Sequence, residues 1–275
     1  MSDRAARAQR FLDLHRPGQP LLMPNPWDVG SARLLASLGF EALATTSSGF
    51  AATLGRLDGS VSRDEALAHA AGLVAATPLP VSADLENGFA DSATGVGDTA
   101  SAAVAAGLAG FSIEDSTGQS EAPIFELQVA AERVAAAAAA AHRGAGHVVL
   151  TARSENYLHG RDDLADTIIR LQAYAEAGAD VLYAPGLTAG PDIEAVVKAV
   201  RRPVNVLALA GGPSVGELAA LGVSRISVGG AFAFAALGAV VEAAQELRDH
   251  GTYGYAARAA AGSRAARGAF GQPPG

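Results

Sequence analysis

The chain has 275 residues, of which 49% are hydrophobic and 17% charged, so it can bury a large core, and no change in composition marks a second domain. Its 20 basic and 28 acidic residues give a net charge of −8 without a basic stripe, which argues against nucleic acid or an anionic membrane surface as a partner. The lack of cysteine excludes disulfides, thiolate nucleophiles and cysteine-ligated zinc.

The N-terminal stretch, residues 1–18, is predicted to be a charged amphipathic helix, and it lacks the apolar segment of a signal peptide. Every later apolar stretch meets a glycine or a charge before it reaches the roughly 18 residues of a membrane span. We therefore expect a soluble, cytoplasmic protein whose ligand is a small molecule.

Eight short, β-rich apolar runs follow, separated by alanine- and leucine-rich stretches of helical length and period. The runs are LLMP (21–24), ALATT (42–46), LPVSAD (79–84), GFSIED (110–115), VVLTAR (148–153), DVLYAP (180–185), PVNVLA (203–208) and RISVG (225–229). Alternating strands and helices imply a parallel sheet, and eight such units predict a closed (β/α)8 barrel, the TIM barrel, over residues 21–230. An open doubly wound sheet is the alternative, favoured if the first and last runs are not strands.

Residues typical of helix ends lie at the predicted boundaries between helices and strands. Four glycines of a weak internal repeat are predicted to end helices in the left-handed conformation: Gly39, Gly107, Gly178 and Gly222. Three serines are placed to cap helix N-termini: Ser31, Ser62 and Ser214. Glu65 would complete a capping box with Ser62.

Residues 231–275 are predicted to extend this single domain with a long apolar helix, a second helix rich in alanine and arginine, and a Pro/Gly tail. An exposed alanine-rich helix gains little stability alone. We therefore expect it to pack on a neighbouring subunit, in a homo-oligomer that is a dimer or a tetramer.

Acidic residues end two neighbouring strand runs, in VSADLENG (81–88) and FSIEDSTG (111–118). The carboxyl ends of barrel strands carry the chemistry in this fold class, and adjacent strands lie about 5 Å apart. Asp84, Glu86 and Glu114 are therefore predicted to share a metal ion. An all-oxygen set suits Mg²⁺ or Mn²⁺.

Further polar residues follow the other strand ends: Ser48 after the second, Asp115 after the fourth, Arg153 and Glu155 after the fifth, and Asn205 within the seventh. For Asp115 and Glu155, a helix cap or an ion pair with arginine is an equal alternative to a role in catalysis. Tyr183 is predicted to be a packing residue, with a role as a base as the alternative.

Five stretches, in order and spacing, resemble the isocitrate lyase and phosphoenolpyruvate mutase superfamily over about residues 20–230. They are PNPWDVGSARLLASLGFEAL, TTSSGF with LGRLD, VSADLENGF, GFSIEDS and VLTARSEN. The resemblance implies a TIM barrel whose eighth helix is swapped between subunits, which would account for the long C-terminal helix.

The resemblance also implies roles at matching positions. Backbone amides of Ser48, Gly49 and Phe50 would hold a carboxylate or phosphonate oxygen of the substrate. Asn205 would face the substrate, and Arg153 would contact it.

Three acids, Asp84, Glu86 and Glu114, match the metal-site acids of the superfamily, and Asp84 would also contact the substrate. Asp58 matches the acid after the Leu-Gly turn, and with Arg153 and Glu114 it completes the implied catalytic set.

Such a site predicts cleavage of a bond next to a 2-oxo group, because a cation and Arg153 would stabilise the enolate that forms. The superfamily's carbon–carbon lyases carry a loop with a catalytic cysteine after the fourth strand, and its phosphonate enzymes carry Lys and Asn there. This chain has STGQSEAPIFE (116–126) instead. We therefore expect a Mg²⁺-dependent lyase or decarboxylase of small 2-oxo or 2-hydroxy di- or tricarboxylic acids. It would resemble either an oxaloacetate decarboxylase, whose reaction abstracts no proton first, or a methylisocitrate lyase that uses another base, such as Tyr183 or water. A P–C bond enzyme, and a 2-oxo acid-binding protein with little turnover, are the alternatives.

Other signals are weaker. ALAGGPSVGEL (208–218) and SVGGAF (227–232) could form a phosphate site in a sugar-phosphate aldolase, but the only lysine, Lys198, lies in a predicted helix. A glycine pattern at 95–100 matches a dinucleotide fingerprint but lies about ten residues beyond its strand. The six histidines lack metal-ligand spacing, so surface or capping positions are expected.

Overall fold

The computed structural model describes residues 3–144 and 146–271, and it contains one parallel eight-stranded sheet. The strands are β1 (Leu21–Met23), β2 (Leu43–Ala44), β3 (Val81–Asp84), β4 (Gly110–Glu114), β5 (Val149–Arg153), β6 (Val181–Tyr183), β7 (Val204–Leu207) and β8 (Arg225–Ser227). Consecutive strands from β2 to β8 pair in order, and β8 pairs with β1. The Ala44 N–H donates to the Pro24 carbonyl at 3.1 Å and links β2 to the end of β1. All eight predicted strands are confirmed, and the open sheet is wrong.

Helices surround the barrel. They are α1 (Asp3–Asp13), α2 (Val29–Ser37), α3 (Ser47–Thr53), α4 (Arg63–Ala76), α5 (Ala93–Ala105), α6 (Leu127–Ala141), α7 (Leu164–Glu176), α8 (Gly190–Val200), α9 (Val215–Ala220), α10 (Ala231–His250) and α11 (Ala256–Phe270). A 3₁₀ turn spans Asn156–His159. The core lies between the strands and these helices.

The predicted helix ends are mostly confirmed. Ser62 and Ser214 are N-caps with complete capping boxes, and all four repeat glycines have positive φ, from 86° to 106°. The prediction for Ser31 is wrong, because Asp28 caps α2 and Ser31 is the third helical residue that bonds back to it. The aspartate one turn earlier offers a charge-assisted bond at the positive end of the helix.

Helix α1 closes the N-terminal end of the barrel. Phe11 is fully buried among residues that point into the barrel, including Val149 and Val181. A Cβ on Gly110 would lie 2.6 Å from the Phe11 ring, so glycine at this position leaves space for the Phe11 side chain. The structure has an N-terminal helix over Asp3–Asp13, shorter than the predicted 1–18, and it reaches the barrel interior.

His15, just after α1, is buried below the strand-end cavity. Its Nδ1 lies 2.8 Å from the Phe11 carbonyl, and its Nε2 lies 3.2 Å from Arg225 Nη1. Because arginine can only donate, Nε2 accepts and the proton lies on Nδ1. Burial, and then the charge of Arg225, lower the pKa of His15 to about 3. The folded state therefore holds a neutral histidine.

This histidine predicts an acid-dependent loss of stability. Between pH ~6.5 and ~3, His15 is protonated in the unfolded chain but stays neutral in the folded chain. The free energy of unfolding therefore falls as pH falls, by about 1.4 kcal/mol per pH unit from this group. Urea unfolding of wild type and His15→Gln between pH 4 and 7 measures the difference in slope. Buried acids with raised pKa make the free energy of unfolding change with pH in the opposite direction, but they do so equally in both proteins. Parallel curves would contradict the prediction.

Helix α10 is apolar and exposed along most of its length. Its exposed apolar side chains are Phe232, Phe234, Leu237, Val240, Val241 and Leu247, and Ala233 is buried. Arg258 pairs with Glu242 at 3.0 Å and ties α11 to α10, while α11 packs on α2. The C-terminal helical extension is therefore confirmed. None of the described helices has both the length and the hydropathy to cross a membrane.

Candidate active site

A small cavity of about 60 Å³ opens at the carboxyl ends of the strands. Its polar lining comes from inward-pointing residues of the barrel and the loops that follow, including Thr45, Asp84, Ser112, Arg153, Tyr183, Asn205, Arg225 and Ser227. Register explains the grouping, because paired residues of parallel strands share a face of the sheet. Glu114 pairs with Arg153, Arg153 with Tyr183, Tyr183 with Asn205 and Asn205 with Arg225.

Arg153 is the centre of the site. Its Nη1 donates to Asp84 Oδ1 at 3.2 Å, and its Nη2 lies 3.2 Å from Glu114 Oε2. Its Nε and Nη2 also donate to the two carboxylate oxygens of Glu155, at 2.8 and 3.2 Å. The guanidinium carbon lies 5.2 Å from the centre of the Tyr183 ring. One largely buried cation therefore holds three carboxylates from β3, β4 and the loop after β5.

Asp84 has neutral donors as well. Its Oδ1 accepts from the backbone N–H of Glu86 at 3.3 Å and from Ser112 Oγ at 3.4 Å. Its Oδ2 accepts from Ser47 Oγ at 3.1 Å. Glu86 has a φ of 48°, a conformation that non-glycine residues rarely adopt, and its carbonyl accepts from the Glu114 N–H at 3.0 Å. This strained turn places Glu86 beside Asp84.

The site has more carboxylates than cations. Burial, then the charges of Asp84 and Asp58, raise the pKa of Glu86 to about 7. Burial also raises the pKa of Glu114 well above its usual range; Arg153 opposes the rise and the other acids add to it. Burial is opposed at Arg153 by its three acidic neighbours, which hold its pKa well above the usual range, so it stays charged. A further positive charge would relieve this repulsion, and carboxylate oxygens are the donor type that a hard divalent cation prefers.

The three predicted metal acids, Asp84, Glu86 and Glu114, lie near one another, with Arg153 between Asp84 and Glu114. Among the described residues their oxygens do not form a group within 4.8 Å of one another. Asp58 lies apart from the cavity lining on an exposed loop, where its Oδ1 accepts from the Gly59 N–H. Its charge affects the site by raising the pKa of Glu86. Metal ligation by the three acids and catalysis by Asp58 stay predictions.

The Ser48–Phe50 segment forms the first turn of α3. Thr46 caps this helix: its Oγ1 accepts from the Gly49 N–H at 3.3 Å and its carbonyl from the Phe50 N–H at 3.0 Å. Two of the three predicted anion donors therefore have partners already. Of the described first-turn amides, those of Ser47 and Ser48 remain for a ligand.

Gly49 is required by packing. A Cβ there would lie 2.6 Å from Thr46 Cγ2 and 3.2 Å from the Cβ atoms of Trp27 and Ala233. The Phe50 side chain stacks on His69, with ring centres 3.9 Å apart, so it contributes to the attachment of α3 to α4.

Asn205 is buried and lines the cavity. Its Oδ1 accepts from Arg225 Nε at 2.9 Å, which fixes the amide orientation, and its Nδ2 donates to Ser227 Oγ at 3.0 Å. The second Nδ2 hydrogen is left for a ligand. Substrate contact by Asn205 stays a prediction.

Arg225 is a cation of a different kind from Arg153. It is 3% exposed, and burial, with the charge of Arg153 adding to it, lowers its pKa to about 9, so it is charged at neutral pH. Among residues 3–144 and 146–271, no carboxylate forms an ion pair with it. A buried unpaired charge is costly, and it marks this part of the cavity as a place for an anion.

Asp115 has a structural role. Its carboxylate accepts from the Tyr174 hydroxyl at 2.6 Å, from Arg170 Nη1 at 3.2 Å and from the Glu155 N–H at 2.8 Å. The ion-pair alternative is therefore correct for Asp115. Glu155 is also paired with arginine, but with the arginine of the site.

The loop after β4 is closed on itself. Ser116 and Ile124 form an antiparallel bridge, and Thr117 Oγ1 donates to the Ala122 carbonyl at 2.6 Å. Its carboxylate at Glu121 is exposed. The described loop residues contribute no titratable side chain to the cavity lining.

Glu217 occupies the amides where a phosphate would bind before α9. Its Oε2 accepts from the Ser214 N–H at 2.7 Å. The loop before this helix is largely exposed. These contacts count against the phosphate alternative.

Sequence reasoning missed several polar residues of the site. Thr45 Oγ1 accepts from the Asp84 N–H at 2.8 Å. Asn25 follows β1 and binds the ends of β2 and β8, donating to the Thr45 carbonyl and accepting from the N–H groups of Val228 and Gly229. The signal for Asn25 was available, since it is polar and follows β1 between two prolines. Arg225 starts a strand, where nothing in the local pattern predicts an inward direction.

Comparison with known proteins gives a consistent result. The family model for phosphoenolpyruvate phosphomutase matches residues 11–248. A Burkholderia cenocepacia protein provisionally described as a lyase or mutase has a structure with TM-score 0.95 and 53% identity, covering 99% of each chain. A phosphonopyruvate hydrolase solved with oxalate and Mg²⁺ has a TM-score of 0.80 and 25% identity, covering 91% of this chain and 88% of that one. The oxaloacetate decarboxylase of a Bradyrhizobium species is 30% identical over 233 residues, which are 81% of this chain and 78% of that protein.

Proposed function

This chain belongs to the phosphoenolpyruvate phosphomutase family, within the isocitrate lyase and phosphoenolpyruvate mutase superfamily, and we propose that it is a Mg²⁺-dependent carbon–carbon lyase of small 2-oxo or 2-hydroxy di- or tricarboxylic acids. The observation that carries the proposal is the convergence of three strand-end carboxylates on Arg153. Within this class we favour decarboxylation of a 2-oxo diacid such as oxaloacetate.

Asp84, Glu86 and Glu114 would hold the metal ion, or Mn²⁺ in its place. The raised pKa values of Glu86 and Glu114 and the oxygen-only donor set support this assignment. When bound, the ion supplies a Lewis acid that draws electron density from the 2-oxo group of the substrate.

The chain's own residues supply the remaining steps. Arg153 stays charged in a largely buried position, where it stabilises negative charge as it develops on the substrate oxygen. Tyr183 lines the cavity, and burial raises its pKa to about 12, so it is protonated at neutral pH. It is therefore suited to donate a proton to the carbanion carbon and unsuited to remove one.

Because Tyr183 can donate a proton but is unsuited to remove one, the site favours decarboxylation. Breaking the bond to a carboxylate releases CO₂ and leaves the electron pair on the 2-oxo side, with no base required. The similarity to a phosphonopyruvate hydrolase supports P–C cleavage as the second candidate. Cleavage of a 2-hydroxy acid would need a base from beyond the described lining, or water.

The test is proton and phosphorus NMR of oxaloacetate, isocitrate, methylisocitrate, dimethylmalate and phosphonopyruvate, each incubated with protein and Mg²⁺. We expect pyruvate from oxaloacetate above the metal-only background. A phosphate signal from phosphonopyruvate would establish the second candidate instead. Oxalate binding without turnover of any compound would overturn the lyase proposal and leave a binding role.

Arg225 offers a prediction about affinity. The described acids that form ion pairs in the site are Asp84, Glu114 and Glu155, and all three pair with Arg153. Arg225 is therefore the cavity cation with no carboxylate partner among the described residues. Arg225→Met is expected to weaken oxalate binding about 10-fold or more, whereas Arg225→Lys keeps most of the affinity, because the charge attracts the anion. Isothermal titration with Mg²⁺ present measures both. Equal affinity in wild type and Arg225→Met would refute this role.

We further propose that the apolar face of α10 packs on a second copy of the chain, as a swapped eighth helix would. A 20-residue helix with six exposed large apolar side chains supports this. Light scattering should give a multiple of 27.5 kDa for wild type and a smaller mass for Val240→Asp. Ile169→Asp on α7, also exposed, is the matched control. A monomeric wild type would contradict the proposal.

A further inference from the structure

A second group of metal-ligating side chains lies at the N-terminal end of the barrel, opposite the strand-end cavity. It comprises His142, which ends α6, His147, which precedes β5, and Asp180, which precedes β6. One ligand atom from each lies within 4.8 Å of the others. Three separate elements therefore bring two imidazoles and a carboxylate together.

The two imidazoles are already aligned. Their rings stack with centres 3.9 Å apart and planes 16° apart. His142 Nε2 lies 3.0 Å from Asp180 Oδ2, and His147 Nε2 lies 2.7 Å from Asp180 Oδ1. Both ε nitrogens thus point at the same carboxylate.

Asp180 is also held in place by a backbone group. Its Oδ2 accepts from the Leu150 N–H at 2.8 Å, at the start of the barrel strand. Although burial opposes it, hydrogen bonds from His142, this N–H and His147 lower the pKa of the Asp180 carboxyl. The carboxylate is therefore ionised and preoriented, as a metal ligand must be.

We propose that His142, His147 and Asp180 form a binding site for a divalent transition metal, with Zn²⁺ as the type. Imidazole ligands favour Zn²⁺ and its neighbours over Mg²⁺, and two histidines with one carboxylate leave an open position for water. In a neutral imidazole that coordinates through its ε nitrogen, the ring proton lies on Nδ1.

The ion would act on stability. Active sites of this fold lie at the other end of the strands. An ion here would join the end of α6 to the starts of β5 and β6. The side chains of His142 and His147 are 27% and 38% exposed, so an ion can enter from solvent.

Histidine spacing concealed this group. His142 and His147 are five residues apart, across the end of a helix, and Asp180 is 33 residues further on, in the next strand unit. The expectation that each histidine is only a surface or capping residue rests on spacing within one helix, and the barrel brings these residues together across elements.

The test uses the full chain after chelator treatment. Titration with Co²⁺ should give one equivalent with the visible absorption of a histidine-containing site, and Zn²⁺ should abolish that absorption and raise the Tm. His147→Ala and His142→Ala should each lose both effects. His250→Ala removes an exposed histidine of α10 and should keep them. Circular dichroism confirms that each variant is folded.

Asp84→Asn distinguishes the histidine site from the oxygen-only site at the strand ends. This variant changes only the oxygen-only site, so it should keep the histidine-type absorption. Absorption of this type lost in Asp84→Asn but kept in His147→Ala would overturn the proposal. So would its absence from the wild type, or a Zn²⁺-dependent Tm shift that persists in both histidine variants.

Discussion

Asp84→Asn is expected to lower kcat/KM for the substrate identified by the NMR panel by roughly 10²- to 10³-fold, while the protein stays folded. The amide can still accept from Ser47 and Ser112, as Asp84 does now. It has no charge for a cation, and it weakens the contact with Arg153. Steady-state kinetics over a range of Mg²⁺ concentrations measures the loss.

The matched control is Asp98→Asn, an exposed aspartate on α5. It removes the same charge from the molecule and should leave kcat/KM and its Mg²⁺ dependence unchanged. If Asp84→Asn retained wild-type turnover, the assignment of Asp84 as a metal ligand would fail. If activity fell but Mg²⁺ dependence were unchanged, Asp84 would serve Arg153 and another group would hold the metal.

Asp115→Ala is expected to lower the free energy of unfolding by about 3–5 kcal/mol, the range for breaking a buried ion pair from one side. Asp115 is 2% exposed, and its loss leaves Arg170, the Tyr174 hydroxyl and the Glu155 N–H without their shared acceptor. Urea unfolding followed by circular dichroism measures the change.

Tyr174→Phe provides the comparison, because it removes one hydrogen bond of the network and leaves the ion pair intact. Its cost should be about 1–3 kcal/mol. A cost below about 1 kcal/mol for Asp115→Ala would show that the network contributes little. An Asp115→Ala enzyme with normal stability but no turnover would give Asp115 a role in catalysis.

The sequence by itself determined the architecture. Strand and helix periods are local, and each of the eight runs carried its own signal, as did the glycines at the helix ends and the serines of the two capping boxes. The grouping of Asp84, Glu86 and Glu114 was also predictable, because parallel strands place their carboxyl ends at one edge of the barrel. Local pattern and fold class together sufficed for these features.

Only the tertiary structure decided which contacts those residues make. Arg153 meets acids from three segments, Gly49 is required by its packing against Trp27 and Ala233, and Arg225 lies in the barrel without an acidic partner. The same holds for Asp115 with Arg170 and for Asp180 with two histidines. Each contact joins elements that are distant in sequence, and its partner is set by strand register and by helix packing. The periodicity of the sequence predicts neither strand register nor helix packing, because it describes a pattern within one element. Charge pairing and packing act through space between elements.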